Sequence, residues 1–296
     1  MKSAGHGVFL IPSKVLDPRR QGAMTEAYGV IRRKDERSKA TPQMIPCWGS
    51  GPPFSIALPL LYVIFLNRCA AHTVRERILF LARMDDYREA FRLACQELAA
   101  VNLHRICSLS GTVCMEDKNG NPAISIPFIN QEHLIYFVPR IDVTLQGNGE
   151  QVPIQEKIII VHYLLKARGE PLRRNPITFR QVEEGPFYYS AFTKRALDPL
   201  AQTFGGEPEE LLECGSRLGA VPDELGDASI TLKPLPRVPA TFVIWGGDEE
   251  LPPQANILFD ESIVSYLPTE DIAVLSSMIV YRLIRIKQSL RSTKPS

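Results

Sequence analysis

Apolar positions first fall into a sustained pattern just after Met84, where Tyr87, Phe91, Ala94, Leu98 and Val101 recur at spacings of four and three residues. That is one face of an amphipathic helix, and Asp85 and Asp86 would occupy its first turn, where negative charge is favoured. Three short runs rich in β-branched and aromatic residues follow, at 124–128, 134–138 and 141–145, after a turn-forming stretch at 117–122. They predict an antiparallel sheet segment. Pro153 suits the first turn of a second helix ending near Arg168, with Gly169 as its stop and Pro171 beyond. Ile154, Ile158, Ile159, Ile160, Val161, Leu164 and Leu165 wrap most of its circumference, which predicts a buried helix. A third helix is expected over 189–204, kinked at Pro199 and ended by Gly205 and Gly206, and a fourth over 207–218. Strands are expected at 229–233 and 241–245. The last helix starts at Thr269, a good N-cap followed by Glu270 and Asp271, and runs through Leu283 before fraying in a basic tail, 285–296. Strands and helices interleave without a βαβ period, so the expected class is α+β. A mixed or antiparallel sheet would pack with about five helices in a single main domain over 84–284.

Before Met84 the pattern breaks down. Residues 1–53 are basic, aperiodic and punctuated by proline and glycine, which reads as disordered or irregular chain. Residues 54–66 form an apolar block interrupted by Pro59, shorter than the roughly 20 residues that cross a bilayer and too far from the start for an ordinary secretion signal. Residues 1–83 hold 13 Lys and Arg against 5 Asp and Glu, whereas 84–296 hold 21 against 28. The first segment is therefore read as a disordered extension or as translated upstream sequence, with folding information beginning near Met84. The mild acidic excess of the remainder gives no electrostatic footprint for nucleic acid.

Of the whole chain, 45% is apolar and 23% charged, an ordinary globular composition. Six cysteines, Cys47, Cys69, Cys95, Cys107, Cys114 and Cys214, are scattered without a CxxC pair, which predicts free thiols in a reducing cytoplasm. His104, Cys107 and Cys114 offer three soft ligands but lack the tight recurring spacing of zinc or iron–sulfur motifs. The chain has no phosphate loop, dinucleotide fingerprint, HExxH or GxSxG. Gly205 and Gly206 before a helix resemble an anion cradle, but Glu207, Glu209 and Glu210 would repel a phosphate, so they read as a helix stop.

Candidate chemistry gathers in two places. His162 lies on the buried helix at the angle of Ile158 and Leu165, which predicts a core histidine, or alternatively a ligand or proton carrier. Tyr188, Tyr189 and Arg195 on a later segment are candidate contacts or simple packing and surface residues. The second place is Trp245-Gly-Gly-Asp248-Glu249-Glu250, with Asp260 shortly after it. Its carboxylates Asp248, Glu250 and Asp260 can gather as hard oxygen ligands for a divalent cation, or form a solvated loop, and Trp245 offers a flat stacking surface.

The blocks Tyr87-Arg-Glu-Ala-Phe-Arg-Leu-Ala-Cys-Gln-Glu-Leu, His162-Tyr-Leu-Leu-Lys-Ala-Arg-Gly, Phe187-Tyr-Tyr-Ser-Ala-Phe, Trp245-Gly-Gly-Asp-Glu-Glu-Leu-Pro and Tyr266-Leu-Pro-Thr-Glu-Asp occur in this order. Together they resemble a prokaryotic family known as domain of unknown function 3786, over about 84–283. The resemblance implies no established activity and names no cofactor. Some relatives are joined to a four-cysteine iron–sulfur domain of the kind found in anaerobic corrinoid and one-carbon metabolism, which this chain lacks. It thus implies a cytoplasmic ligand-binding or accessory domain working with a separate iron–sulfur or corrinoid protein, with Asp248–Glu250 and Asp260 as the contact. Two alternatives stand beside it. One is a divalent-metal-dependent hydrolase using those carboxylates with His162 as base, and the other is a structural interaction module.

Overall fold

The first amphipathic face forms helix α1 (Val74–Ala99) in the computed structural model, which describes residues 74–147 and 151–293. Residues 1–73, including the apolar block 54–66, lie outside the described residues. Ala94 and Leu98 are buried and Phe91 packs on the core, while Val101 falls beyond the helix end and is exposed. The helix starts at Val74 rather than Met84, so Asp85 and Asp86 lie in its interior and not at its N-terminus. Asn102 caps helix α2 (Leu103–Ser110) by accepting the Arg105 N–H at 3.1 Å, and Gly111 ends it in the left-handed region.

Four strands then run as an antiparallel meander: β1 (Val113–Glu116), β2 (Pro122–Phe128), β3 (Gln131–Tyr136) and β4 (Asp142–Leu145). Asp117 closes the predicted turn by accepting the Asn119 and Asn121 N–H groups at 2.8 Å each. The β2–β3 hairpin turns through Ile129 and Asn130 at φ 44° and 59°. A β-branched residue is unfavourable there. Burial of the Ile129 side chain and a 3.0 Å bond from its N–H to the Pro234 carbonyl offset the strain, and that bond ties the smaller sheet to the larger one.

Helix α3 (Ile154–Lys166) is buried as predicted, with Ile158, Ile159, Ile160, Val161, Tyr163 and Leu164 in the core. Each such side chain contributes about 1.5–3 kcal/mol relative to exposure. The larger sheet has the order β5 (Pro176–Thr178), β9 (Gln254–Asp260), β8 (Val238–Trp245), β7 (Ala228–Leu235), β6 (Val221–Asp223), and every pairing is antiparallel. Residues 256–260, read from sequence as following the acidic loop, belong to β9 in the interior of this sheet.

Its helices are α4 (Gly185–Phe192), α5 (Asp198–Phe204), α6 (Glu210–Arg217) and α7 (Thr269–Thr293). Between α4 and α5 the chain makes one π turn (Thr193–Leu197), where the Asp198 N–H reaches the Thr193 carbonyl. Pro199 has no N–H to give the preceding turn and its ring crowds it, and the wider turn absorbs the misfit that the sequence reading assigned to a kink. Helix α7 continues through Thr293, so the tail from Arg285 does not fray. Lys287 explains this, because its ammonium is buried against the Thr203 carbonyl, the Glu210 carboxylate and the Phe204 ring.

The α+β class holds, with wholly antiparallel sheets, and the described residues fall in one compact unit. No described helix is long and apolar enough to cross a membrane. One expectation fails: Cys107 and Cys114 are joined as a disulfide with their Cα atoms 6.0 Å apart, a separation such a bond requires. These thiols are therefore neither free nor available as metal ligands with His104. Cys95 and Cys214 are free, and Cys47 and Cys69 lie outside the described residues. Alkylation of the unfolded chain followed by mass spectrometry should accordingly find two additional reactive thiols after treatment with a dithiol. Equal counts before and after would contradict the pairing.

Candidate functional site

His162 is not in the core. It sits in the penultimate turn of α3 with about a third of its side chain exposed, 32%, on the wall of an open groove of about 430 Å³. Glu97 of α1, Leu165, Lys166 and Arg168 at the end of α3, and Pro268 complete the wall. The ring Nδ1 lies 2.7 Å from Oδ2 of Asp271, in the first turn of α7. Asp271 is itself buried, so this is a directed contact between two elements and not a passing surface pair. The bond to Asp271 raises the His162 pKa, partial burial opposes the rise, and the negative charges of Asp271, Glu270 and Glu97 add to it. With Nδ1 committed, Nε2 is the ring nitrogen left for a ligand.

The start of α7 is fixed by Thr269, whose hydroxyl donates to the Glu183 carbonyl at 2.6 Å just before α4. Partial burial and the charge of Asp271 raise the Glu270 pKa, while Arg195 and His162 work against the rise. Arg195 comes from the π turn, so α3, α7 and the π turn share one electrostatic neighbourhood. Two atoms of that turn, Thr193 Oγ1 and Arg195 Nη2, are buried without a hydrogen-bond partner. π turns of this kind recur at functional sites. Tyr188 packs partly against the core and edge-on to Phe187 at 5.1 Å, and Tyr189 carries the Arg180 guanidinium 3.8 Å from its ring centre.

The acidic loop is built differently. Asp248 Oδ1 accepts the N–H groups of Glu250 and Leu251 at 2.9 and 2.7 Å, so its carboxylate closes the loop's own turn. Glu249 and Glu250 are exposed. Trp245 is 4% exposed at the end of β8, so it offers no stacking face, and that expectation is corrected. Asp260 accepts the N–H groups of Arg173 at 3.0 Å, Arg174 at 2.6 Å and Ser262 at 3.0 Å, with the Ser262 hydroxyl at 2.6 Å. Partial burial opposes its ionisation, yet the Ser262 and backbone hydrogen bonds outweigh it and hold the carboxyl below the ordinary carboxylate range. Among the described residues no three His, Cys, Asp or Glu side chains are grouped so as to hold a metal ion. Gly205 and Gly206 form no cradle either. A Cβ on Gly205 would lie 2.1 Å from Pro253, so glycine is needed for the acidic loop to fold back over the end of α5.

Of the residues singled out from sequence, His162 and Arg195 thus fall in one neighbourhood, Tyr188 precedes it on α4, and the acidic-loop residues serve their own backbone. Sequence reasoning missed Asp271, Glu270, Lys166 and Arg168. Asp271 was visible only as a helix-start acid, and its partner lies 109 residues away.

No curated protein and no solved structure is significantly similar to the chain. The family model described as domain of unknown function (DUF3786) matches residues 102–282, which takes in α2 to α6, the first part of α7, both sheets, the His162–Asp271 pair and the π turn. The chain belongs to the DUF3786 family.

Proposed function

We propose that this protein is a small-molecule-binding domain whose ligand occupies the groove above His162 and exchanges a hydrogen bond or proton with its Nε2. The observation that carries the reading is the 2.7 Å His162–Asp271 pair on the groove wall. A buried carboxylate that fixes one ring nitrogen of a histidine lining an open volume is an arrangement suited to presenting an imidazole to a ligand. Lys166 and Arg168 on the same wall have no carboxylate within ion-pair distance among the described residues, which leaves both able to contact a polar ligand. A metal-dependent hydrolase receives no such support, because one oxygen of Asp248 and both of Asp260 accept backbone N–H groups and no three candidate ligands are grouped among the described residues.

Within this reading the accessory role stands on the family resemblance, and an iron–sulfur or corrinoid protein would be the recipient of the bound molecule. Thermal-shift measurements on the full chain with small carboxylates, phosphates and polyols test the binding role. At least one class should raise the melting temperature of the wild type and not of His162→Gln. No class doing so, or equal rises in both proteins, would overturn it.

A further inference from the structure

A second hollow, of about 180 Å³, lies at the β5 edge of the larger sheet. Its walls come from Pro176, Pro239, Thr241 and Leu258, with Arg174 and Asp260 at its polar end. The backbone at Arg174 is left-handed, with φ 55°. A side chain pays of order 1 kcal/mol or more for that conformation, and glycine or asparagine adopts it far more cheaply. Such a residue persists where its surroundings over-determine it. Here the clamp is Asp260, whose two oxygens take the N–H groups of Arg173 and Arg174 while Ser262 holds the carboxylate from the other side.

The clamp needs only the backbone of residue 174. The Arg174 side chain is therefore not spent on the clamp. Neighbouring Arg173 is paired with Glu170 at 3.1 Å and Glu261 at 3.3 Å, whereas Arg174 has no carboxylate within ion-pair distance among the described residues. Asp260 also faces the hollow and its negative charge opposes an anion there, but the four donors on its oxygens draw on that charge and lower its competition for the guanidinium.

From the strained, unpaired arginine beside an apolar hollow, we propose a binding site for a short aliphatic carboxylate. The carboxylate pairs with the Arg174 guanidinium, and the hydrocarbon stem lies on Pro176, Pro239 and Leu258. At roughly 30 Å³ per water molecule the hollow has room for about six waters, which matches a stem of a few carbons.

Isothermal titration of the full chain with acetate, butyrate, hexanoate and the neutral isostere hexanamide tests the site. Affinity should rise about threefold to fourfold for each methylene buried, and hexanoate should exceed hexanamide by about tenfold or more. Arg174→Gln should remove the preference for hexanoate and leave hexanamide binding unchanged. Arg174→Gly separates ligand binding from folding, since it relieves the strain and should keep or raise the melting temperature while losing hexanoate. No saturable hexanoate binding at millimolar concentration, equal affinity of the wild type for hexanoate and hexanamide, or retention of the preference for hexanoate by either variant would overturn the proposal.

Discussion

Lys287→Ala should lower the unfolding free energy by about 3 kcal/mol, at the lower end of the 3–5 kcal/mol seen when one member of a buried ion pair is removed. The Lys287 side chain is only 8% exposed, and its ammonium meets the Glu210 carboxylate and the Thr203 carbonyl above the Phe204 ring, 5.0 Å from its centre. Alanine would leave the Thr203 carbonyl without this donor and Glu210 with only the exposed Arg291, at 3.3 Å, and would open a cavity where the four-carbon stem had packed. Glu210 keeps 30% exposure, so water can solvate it in part, which sets the lower end of the range. Lys287→Met fills the same volume without the charge and should cost less. Equilibrium denaturation in urea reads both, and a change below about 0.5 kcal/mol for the alanine variant would contradict the anchoring of α7 by this residue.

Gly185→Ala should be at least as damaging, because a Cβ at Gly185 would lie 1.9 Å from the Phe179 carbonyl oxygen and 3.1 Å from its carbon. Both obstructing atoms are backbone, so no rotamer change can make room. Helix α4 would have to move away from the 3₁₀ turn Phe179–Gln181, breaking the stack of Phe179 on Phe192, whose centroids are 4.1 Å apart. Overpacking costs about 1–3 kcal/mol where side chains can yield and more where they cannot, so about 3 kcal/mol is expected. The same displacement would carry the π turn and Arg195 with it. A melting temperature within a degree or two of wild type would show that α4 is free to shift.

These two positions also show where sequence reasoning succeeds and where it stops. The buried helix around Ile158 to Leu164, the meander from 124 to 145 and the start of α7 near Thr269 are local patterns that the sequence reveals directly, although Thr269 is the first helical residue and bonds the Glu183 carbonyl instead of capping α7. Lys287 reads as part of a basic, fraying tail because the groups that hold it lie some 80 residues away, at Thr203 and Glu210. β9 was missed for a similar reason. Its run from Asn256 is short and follows a charged loop, and only pairing with β8 and β5 makes it a strand. At the site, the chemical types of His162 and Arg195 were legible, but their setting was not. Three carboxylates in and after a Gly-Gly turn drew attention to Asp248, Glu250 and Asp260, whereas the acid that matters to His162 is Asp271, hidden among ordinary helix-start residues.

Asp271 holds His162 as a directed group on the groove wall and raises its pKa. The most direct test is the NMR titration of the His162 imidazole in wild type and in Asp271→Asn. The wild-type pKa should lie above the ordinary 6.5, and it should fall back toward or below that value once Asp271 loses its charge. Because the folded-state value is raised, the pair's contribution to stability is fully present below pH 6.5 and is lost as the pH rises through the folded pKa. The stability difference between the two proteins should therefore shrink above neutrality. A wild-type His162 that titrates at or below 6.5, and that Asp271→Asn leaves unmoved, would contradict the account.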